Sequence, residues 1–145
     1  MTIRKLRLSD VDFLASSREF GFSDGWTEKM MDESFSVGNF FGFIAEEDGA
    51  PTGYITLSGT EDFCDIESVF VRPDKRRRGV AEKLFDTAEK SVVKMKIPAM
   101  LLEVRESNAP AKNLYSKKGF VVISTRKKYY PDGENAVVMK KEIKL

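Results

Sequence analysis

The sequence predicts a mixed α/β layer fold in which helices pack on a central sheet. Three observations predict it. Hydrophobic spacing switches repeatedly between the period of two expected of strands and the 3.6 expected of helices. The order that results is one strand, two helices, three strands, a helix, a strand, a helix and two strands. The third observation is length: 145 residues suit a single domain, 1–145, with a core of its own.

The elements follow in order. "TIRKLRL", residues 2–8, alternates and reads as a short strand. Ser9, with Asp12 three residues on, has the form of a capping box, and Val11, Leu14 and Ala15 give a helical stripe. "GFSDG", residues 21–25, breaks that helix, and Thr27 is placed to cap a second one carrying Met30, Met31 and Phe35. "NFFGFIAEEDGAPTGYITL" reads as a hairpin turning at Asp48-Gly49, because both positions of a tight hairpin turn need positive φ. "FCDIESVFV", residues 63–71, is a third β segment before Pro73. From Val80, the residues Leu84, Phe85, Ala88, Val92 and Val93 recur at helical spacing. "AMLLEV" is a nearly continuous apolar run, as in a strand covered on both faces. "SNAPAKNLYSKKG" reads as a helix with Ser107 or Asn108 as cap, Pro110 in the first turn and Gly119 as the stop. "FVVISTRKKYY" and "AVVMKKEI" close the chain as strands joined through "PDGEN".

Composition narrows the function. Hydrophobic content of 41% and charged content of 32% are those of a soluble globular protein. Lys plus Arg is 24 and Asp plus Glu 23, a net charge of +1, so a dedicated nucleic-acid binder is disfavoured. The single cysteine, Cys64, excludes an intrachain disulfide and fits the reducing cytoplasm. No apolar run approaches the ~18 residues of a membrane span, and the alternating, acid-bearing start does not read as a secretory signal. Histidine is absent, which removes the commonest general base and zinc ligand together, so no metal is expected.

One cationic run stands out. Lys75-Arg76-Arg77-Arg78 ends at Gly79, where the helical pattern begins. A helix start exposes unpaired N–H groups and the positive end of the dipole. Gly79 lets the backbone approach an anion closely, and the small Ala81 keeps that approach open. A pyrophosphate suits the arrangement; a solvated basic turn, bent at glycine, suits it equally. Tracking of a nucleic-acid backbone is the weaker alternative, since no aromatic-rich basic stripe accompanies the run.

Arg76-x-x-Gly79-x-Ala81 between strand and helix resembles the acetyl-CoA pyrophosphate loop of the GNAT N-acetyltransferase superfamily. "LLEVRESNAPAKNLYSKKGF", residues 101–120, followed by "KKYYPDGENAVVMKKEI", resembles the bacterial RimI family of ribosomal-protein-alanine N-acetyltransferases. "DGWTEKMM" is similar to that family's Pro-Trp-Ser segment, with Gly25 in place of the proline, and Gly21-Phe22 stands where Cys-Phe is usual. The resemblance spans nearly the whole chain and is densest over residues 70–139. It implies the GNAT fold, a mixed and mostly antiparallel sheet, and an acetyl-CoA-dependent N-acetyltransferase that acts on a protein or peptide N-terminus, ribosomal proteins included. A small-molecule amine or a protein lysine is the alternative acceptor, and a CoA-binding regulatory module without turnover is a further one. No direct nucleic-acid or membrane partner is implied, and the chain would work as a monomer or homodimer in the cytoplasm.

Residue roles follow. Glu103 sits inside an apolar strand run, where a carboxylate is costly unless it is paired, at the sheet edge or facing a cavity. Burial would raise its pKa toward that of a working base. The resemblance assigns this position as proton acceptor, through water; Glu67, on the strand before the basic turn, is the rival base. Tyr115 has the spacing of a core residue, and the resemblance makes it the acid that protonates the departing thiolate. By the same resemblance Val69, Phe70 and Val71 offer backbone groups to acetyl and pantetheine. Arg77, Arg78, Gly79, Val80 and Ala81 hold the pyrophosphate, and Asn108 contacts the cofactor besides capping its helix. Trp26, Tyr129 and Tyr130 either line the acceptor groove or simply pack. An α-amine, with pKa near ~7.7–8.0, is about a tenth neutral at pH 7, whereas a lysine near ~10.4 is neutral in far below ~1% of molecules. A modest base therefore serves an N-terminal amine better than a lysine.

Overall fold

The computed structural model describes residues 1–20 and 27–145. Seven strands form one sheet in the order β1-β2-β3-β4-β5-β7-β6. They are β1 (Thr2–Lys5), β2 (Phe40–Glu47), β3 (Ala50–Gly59), β4 (Cys64–Val71), β5 (Ala99–Arg105), β6 (Val121–Arg126) and β7 (Ala136–Glu142). Every pairing is antiparallel except β4 with β5. Among the described residues four α-helices join them: α1 (Val11–Ser16), α2 (Glu28–Val37), α3 (Val80–Lys94) and α4 (Ala109–Lys117). The layered α/β architecture expected from the sequence is the one observed.

The period of two divides the side chains between two cores. On one face Phe43, Ala45, Ile55 and Leu57 meet Val80, Leu84, Phe85, Ala88 and Val92 of α3. On the other, Phe40, Ile44, Tyr54 and Phe70 meet Leu14 of α1 and Met31 of α2. Each sheet face thus carries helices, and no strand in the middle of the sheet exposes an apolar row. The β2–β3 turn is the expected one, with φ of 53° at Asp48 and 78° at Gly49.

Several element ends differ from the sequence reading. The first strand stops at Lys5 because a 3₁₀ turn occupies Leu8–Asp10. The capping residue there is Asp10 and not the Ser9–Asp12 pair: its carboxylate accepts the Arg7 N–H at 2.8 Å and takes both Arg4 Nη groups at 2.7 and 2.9 Å. The Arg4 fork holds Asp10 in place, and so decides which acid faces the turn. Thr27 caps α2 as expected, accepting the Met30 N–H at 3.1 Å. The strand expected over 120–130 ends at Arg126, where Lys128 takes a positive φ of 52° and starts the β6–β7 loop.

The β4–β5 contact positions the site. Only three residue pairs join these strands, Cys64 with Met100, Asp65 with Leu101 and Ile66 with Leu102. Beyond Ile66, β4 continues to Val71 bonded to β3 alone, while β5 continues to Arg105 bonded to β7. A slot opens between them. At its start Glu67 is the extra residue of a β-bulge: Ile66 pairs with Leu57 and Ser68 with Thr56. A bulge re-aims the side chains that follow it.

Candidate active site

Three cavities lie in sequence along β4. The first, about 330 Å³, is walled by Val71, Arg76, Arg77, Gly79, Val80 and Leu114. The second, about 160 Å³, lies in the slot among Val69, Glu67, Glu103, Asn108, Tyr115 and Tyr130. The third, about 580 Å³, shares Glu67, Glu103 and Tyr130 with the second and adds Asp65, Arg126 and Tyr129.

The first cavity is built on the basic turn. Arg77 and Gly79 both hold left-handed backbone, φ 65° and 78°, and Gly79 is the residue before α3. A Cβ placed at Gly79 would meet nothing within 4 Å, so the space above it is open to a ligand. The first N–H groups of the fifteen-residue α3 begin here. This donor set suits a phosphate group. Arg76 and Arg77 line this cavity, and Arg78 does not. Arg78 turns away to Glu47, 3.5 Å distant. Arg76 lines the cavity, with Nε donating to the Val71 carbonyl at 3.0 Å.

In the second cavity, β4 runs on beyond its last pair with β5. Val69 lines the slot, whereas the Phe70 side chain is 3% exposed and packs in the opposite core. Any service Phe70 renders the slot is therefore through its backbone. Asn108 caps α4, accepting the Ala111 N–H at 3.2 Å, which places it at the cavity wall. Tyr115 projects from α4 onto Phe85 and Phe120, with ring centroids 5.2 and 6.2 Å away. Burial, with a smaller contribution from Tyr130, pushes its hydroxyl up to about 12. Tyr115 thus keeps its proton at neutral pH.

Glu103 is not the buried carboxylate that its apolar neighbours suggested. It faces the third cavity, its side chain 31% exposed, and forms an ion pair with Arg126 Nε at 3.3 Å. The alternation of β5 explains this: Leu102 and Val104 point into the core, and Glu103 points to the slot. Glu67 lines the second and third cavities as well, so both candidate bases are brought to one place. Burial, and next Glu103, raise the Asp65 carboxyl above its ordinary value. Burial, with Asp65 and Glu67, pushes the Cys64 thiol up to about 12, which leaves it an inert core residue.

Tyr130 borders both cavities and Tyr129 borders the larger, their rings 5.1 Å apart. Trp26 lies outside the described residues. Arg126 and Arg105 were missed by the sequence reading. Arg126 stands 5.9 Å from the Tyr129 ring, and Arg105 stacks on Tyr130 at 4.1 Å. Arg105 was visible as part of the "LEVR" motif; nothing local marked Arg126. Among the described residues no group of three or more acidic or cysteine side chains is arranged to hold a metal ion, and no helix is long and apolar enough to cross a membrane.

A helix-started anion cavity feeding a slot between two splayed parallel strands defines a protein built to hold an extended phosphate-bearing ligand. Residues 11–120 match the Acetyltransferase (GNAT) family, and the chain belongs to that family, the acetyl-CoA-dependent acyltransferases. The N-alpha-acetyltransferase of Sulfurisphaera tokodaii is 30% identical over 94% of this chain and 90% of its own length. The [ribosomal protein bS18]-alanine N-acetyltransferase of Escherichia coli is 28% identical, covering 95% of each. The crystal structure of the Escherichia coli ribosomal-protein-S18-alanine N-acetyltransferase superposes with a TM-score of 0.90 at 26% identity, covering 99% of this chain and 94% of that one. The resemblance to the RimI family thus extends to sequence and fold alike.

Proposed function

We propose that the protein transfers acetyl from acetyl-CoA to the N-terminal α-amine of a protein, in the cytoplasm, with a ribosomal protein among its acceptors. The observation that carries this reading is the meeting of Glu103 and Tyr115 at one small cavity, a proton acceptor from β5 and a proton donor from α4. Acetyl-CoA supplies the activated thioester. Arg76, Arg77, Gly79, Val80 and Ala81 hold its pyrophosphate, and β4 from Val69 to Val71, beyond its pairing with β5, holds its pantetheine arm. Asn108 contacts the cofactor from the start of α4. The amine enters through the larger cavity, past Tyr129 and Tyr130, and Glu103 takes its proton directly or through water. The proton of Tyr115 goes to the leaving sulfur. Two relatives, one named an N-alpha-acetyltransferase and one a [ribosomal protein bS18]-alanine N-acetyltransferase, support the choice of an α-amine.

The test is acetyl transfer to peptides, with mass spectrometry locating the acetyl group. Ala-, Ser- and Met-initiated peptides are set beside a peptide with a blocked N-terminus and a free lysine, and beside a polyamine. Acetyl on the α-amine, lost when the terminus is blocked, is the expected result. Acetyl on lysine or polyamine alone would retain the family and reject the acceptor.

The cofactor assignment has its own check. Gly79→Val forces a branched side chain into left-handed backbone at the mouth of the anion cavity. Acetyl-CoA binding, measured by titration calorimetry, is expected to weaken about tenfold or more, the loss of one or more charge-assisted hydrogen bonds. Unchanged affinity would remove the turn from the cofactor site.

A further inference from the structure

Arg105 is the last residue of β5, and it is bound on three sides. Its Nη1 reaches Asp132 Oδ2 at 2.8 Å and Glu134 Oε1 at 3.0 Å. Its guanidinium lies over the Tyr130 ring at 4.1 Å. Its carbonyl accepts the Asn108 N–H at 2.9 Å, where α4 begins. Glu134 in turn accepts the Ser107 N–H at 2.8 Å. Hydrogen bonding from Ser107 and from Arg105 holds the Glu134 carboxyl below its ordinary value, so the clamp is fully charged at neutral pH. The loop between β6 and β7 otherwise closes on itself through Tyr130 N–H to the Glu134 carbonyl and Gly133 N–H to the Tyr130 carbonyl. None of its residues belongs to the buried hydrophobic clusters of the two cores. Further ties to the rest of the molecule are the Glu106 N–H to the Asn135 carbonyl and the Asn135 amide to the Glu106 carboxylate, at 3.1 and 3.5 Å.

Exposed ion pairs rarely matter singly. Here one planar fork serves two acids and an aromatic face at once, which a lysine cannot do. The same residue touches the loop bearing Tyr130 and the first turn of the helix bearing Tyr115. We infer that Arg105 is a positioning residue that locks the β6–β7 loop against the start of α4, and thereby holds Tyr130 as the wall between the acceptor cavity and the Tyr115 cavity. Its guanidinium is taken up by Asp132, Glu134 and the Tyr130 ring at the border of the Tyr115 cavity, and it acts through Tyr130. The effect on acceptor binding rests on the acceptor reading given above.

The experiment compares wild type, Arg105→Met and Arg105→Lys in two measurements. Steady-state kinetics give KM for an acceptor peptide and for acetyl-CoA separately. Limited trypsin digestion of the native enzyme gives the rate of nicking at Lys127 and Lys128. For Arg105→Met the peptide KM is expected to rise about tenfold or more, as charge-assisted bonds are lost, with the acetyl-CoA KM unchanged and nicking faster. Arg105→Lys is expected to fall between Arg105→Met and wild type in both measurements. Unchanged nicking and peptide KM in Arg105→Met would overturn the inference, and so would an equal rise in both KM values. Should wild type acetylate no peptide, the acceptor reading fails by itself, and the nicking rates still decide whether Arg105 locks the loop.

Discussion

Tyr115→Phe is expected to lower turnover by about 10²–10⁴-fold, the range for removal of a positioned general acid, with acetyl-CoA affinity nearly intact. The substitution deletes one oxygen. The ring stays in contact with Phe85 and Phe120, so α4 keeps its seat on the core. Stability should therefore change little, and a melting curve separates the chemical effect from a folding defect. Because the hydroxyl is pushed up to about 12, wild-type activity should show no loss from Tyr115 ionisation through pH 10. The sign for stability is also fixed. An unfolded tyrosine releases its proton near ~10 while the folded one retains it, so alkali between about pH 10 and 12 favours the unfolded chain. A Tyr115→Phe variant should lack that part of the alkaline destabilisation. Full turnover in the variant would remove Tyr115 from the chemistry.

Glu103→Gln is expected to cost about 10²-fold or more in turnover at pH 7, where most α-amine molecules arrive protonated and the nucleophile must be freed. Glutamine keeps the shape and a hydrogen-bonding oxygen for Arg126 but has no basicity. The deficit should narrow as pH passes about 8, where the amine arrives neutral of its own accord. This pH dependence distinguishes a lost base from a lost ion pair. Glu67→Gln is the necessary companion, since Glu67 borders the same cavities from the β4 bulge. A larger loss in Glu67→Gln than in Glu103→Gln would pass the role of base to Glu67.

Much of this molecule was legible before its coordinates. The β2–β3 turn, the Thr27 and Asn108 caps and the start of α3 after Gly79 all depend on interactions within four residues, which a sequence displays directly. Glu103 and Tyr115, the proposed base and acid, were marked through a motif. What escaped was long-range. Glu103 and Arg126 are 23 positions apart, and only the β5–β7–β6 order brings them together. Arg4 meets Glu46 through the β1–β2 pairing and reaches Asp10 six residues on, and so displaced the expected cap. The division among the arginines turned on Glu47, which the β2–β3 hairpin delivers to Arg78. In each case a charge chose a partner that hydrophobic periodicity does not register.

The three residue pairs between β4 and β5 have a mechanical meaning as well. They are a seam. On one side stand β1 to β4, with α3 folded against them; on the other stand β5, β7 and β6. Each half is laced internally by antiparallel ladders of four to eight pairs, and the halves are stitched to each other by the shortest ladder of all. Across the slot the two halves are held less by ladder bonds than by the core they share, in which Phe85 of α3 meets Tyr115 and Phe120. The sheet is thus thinnest in ladder bonds one residue before the slot begins, and side-chain packing carries the join from there on.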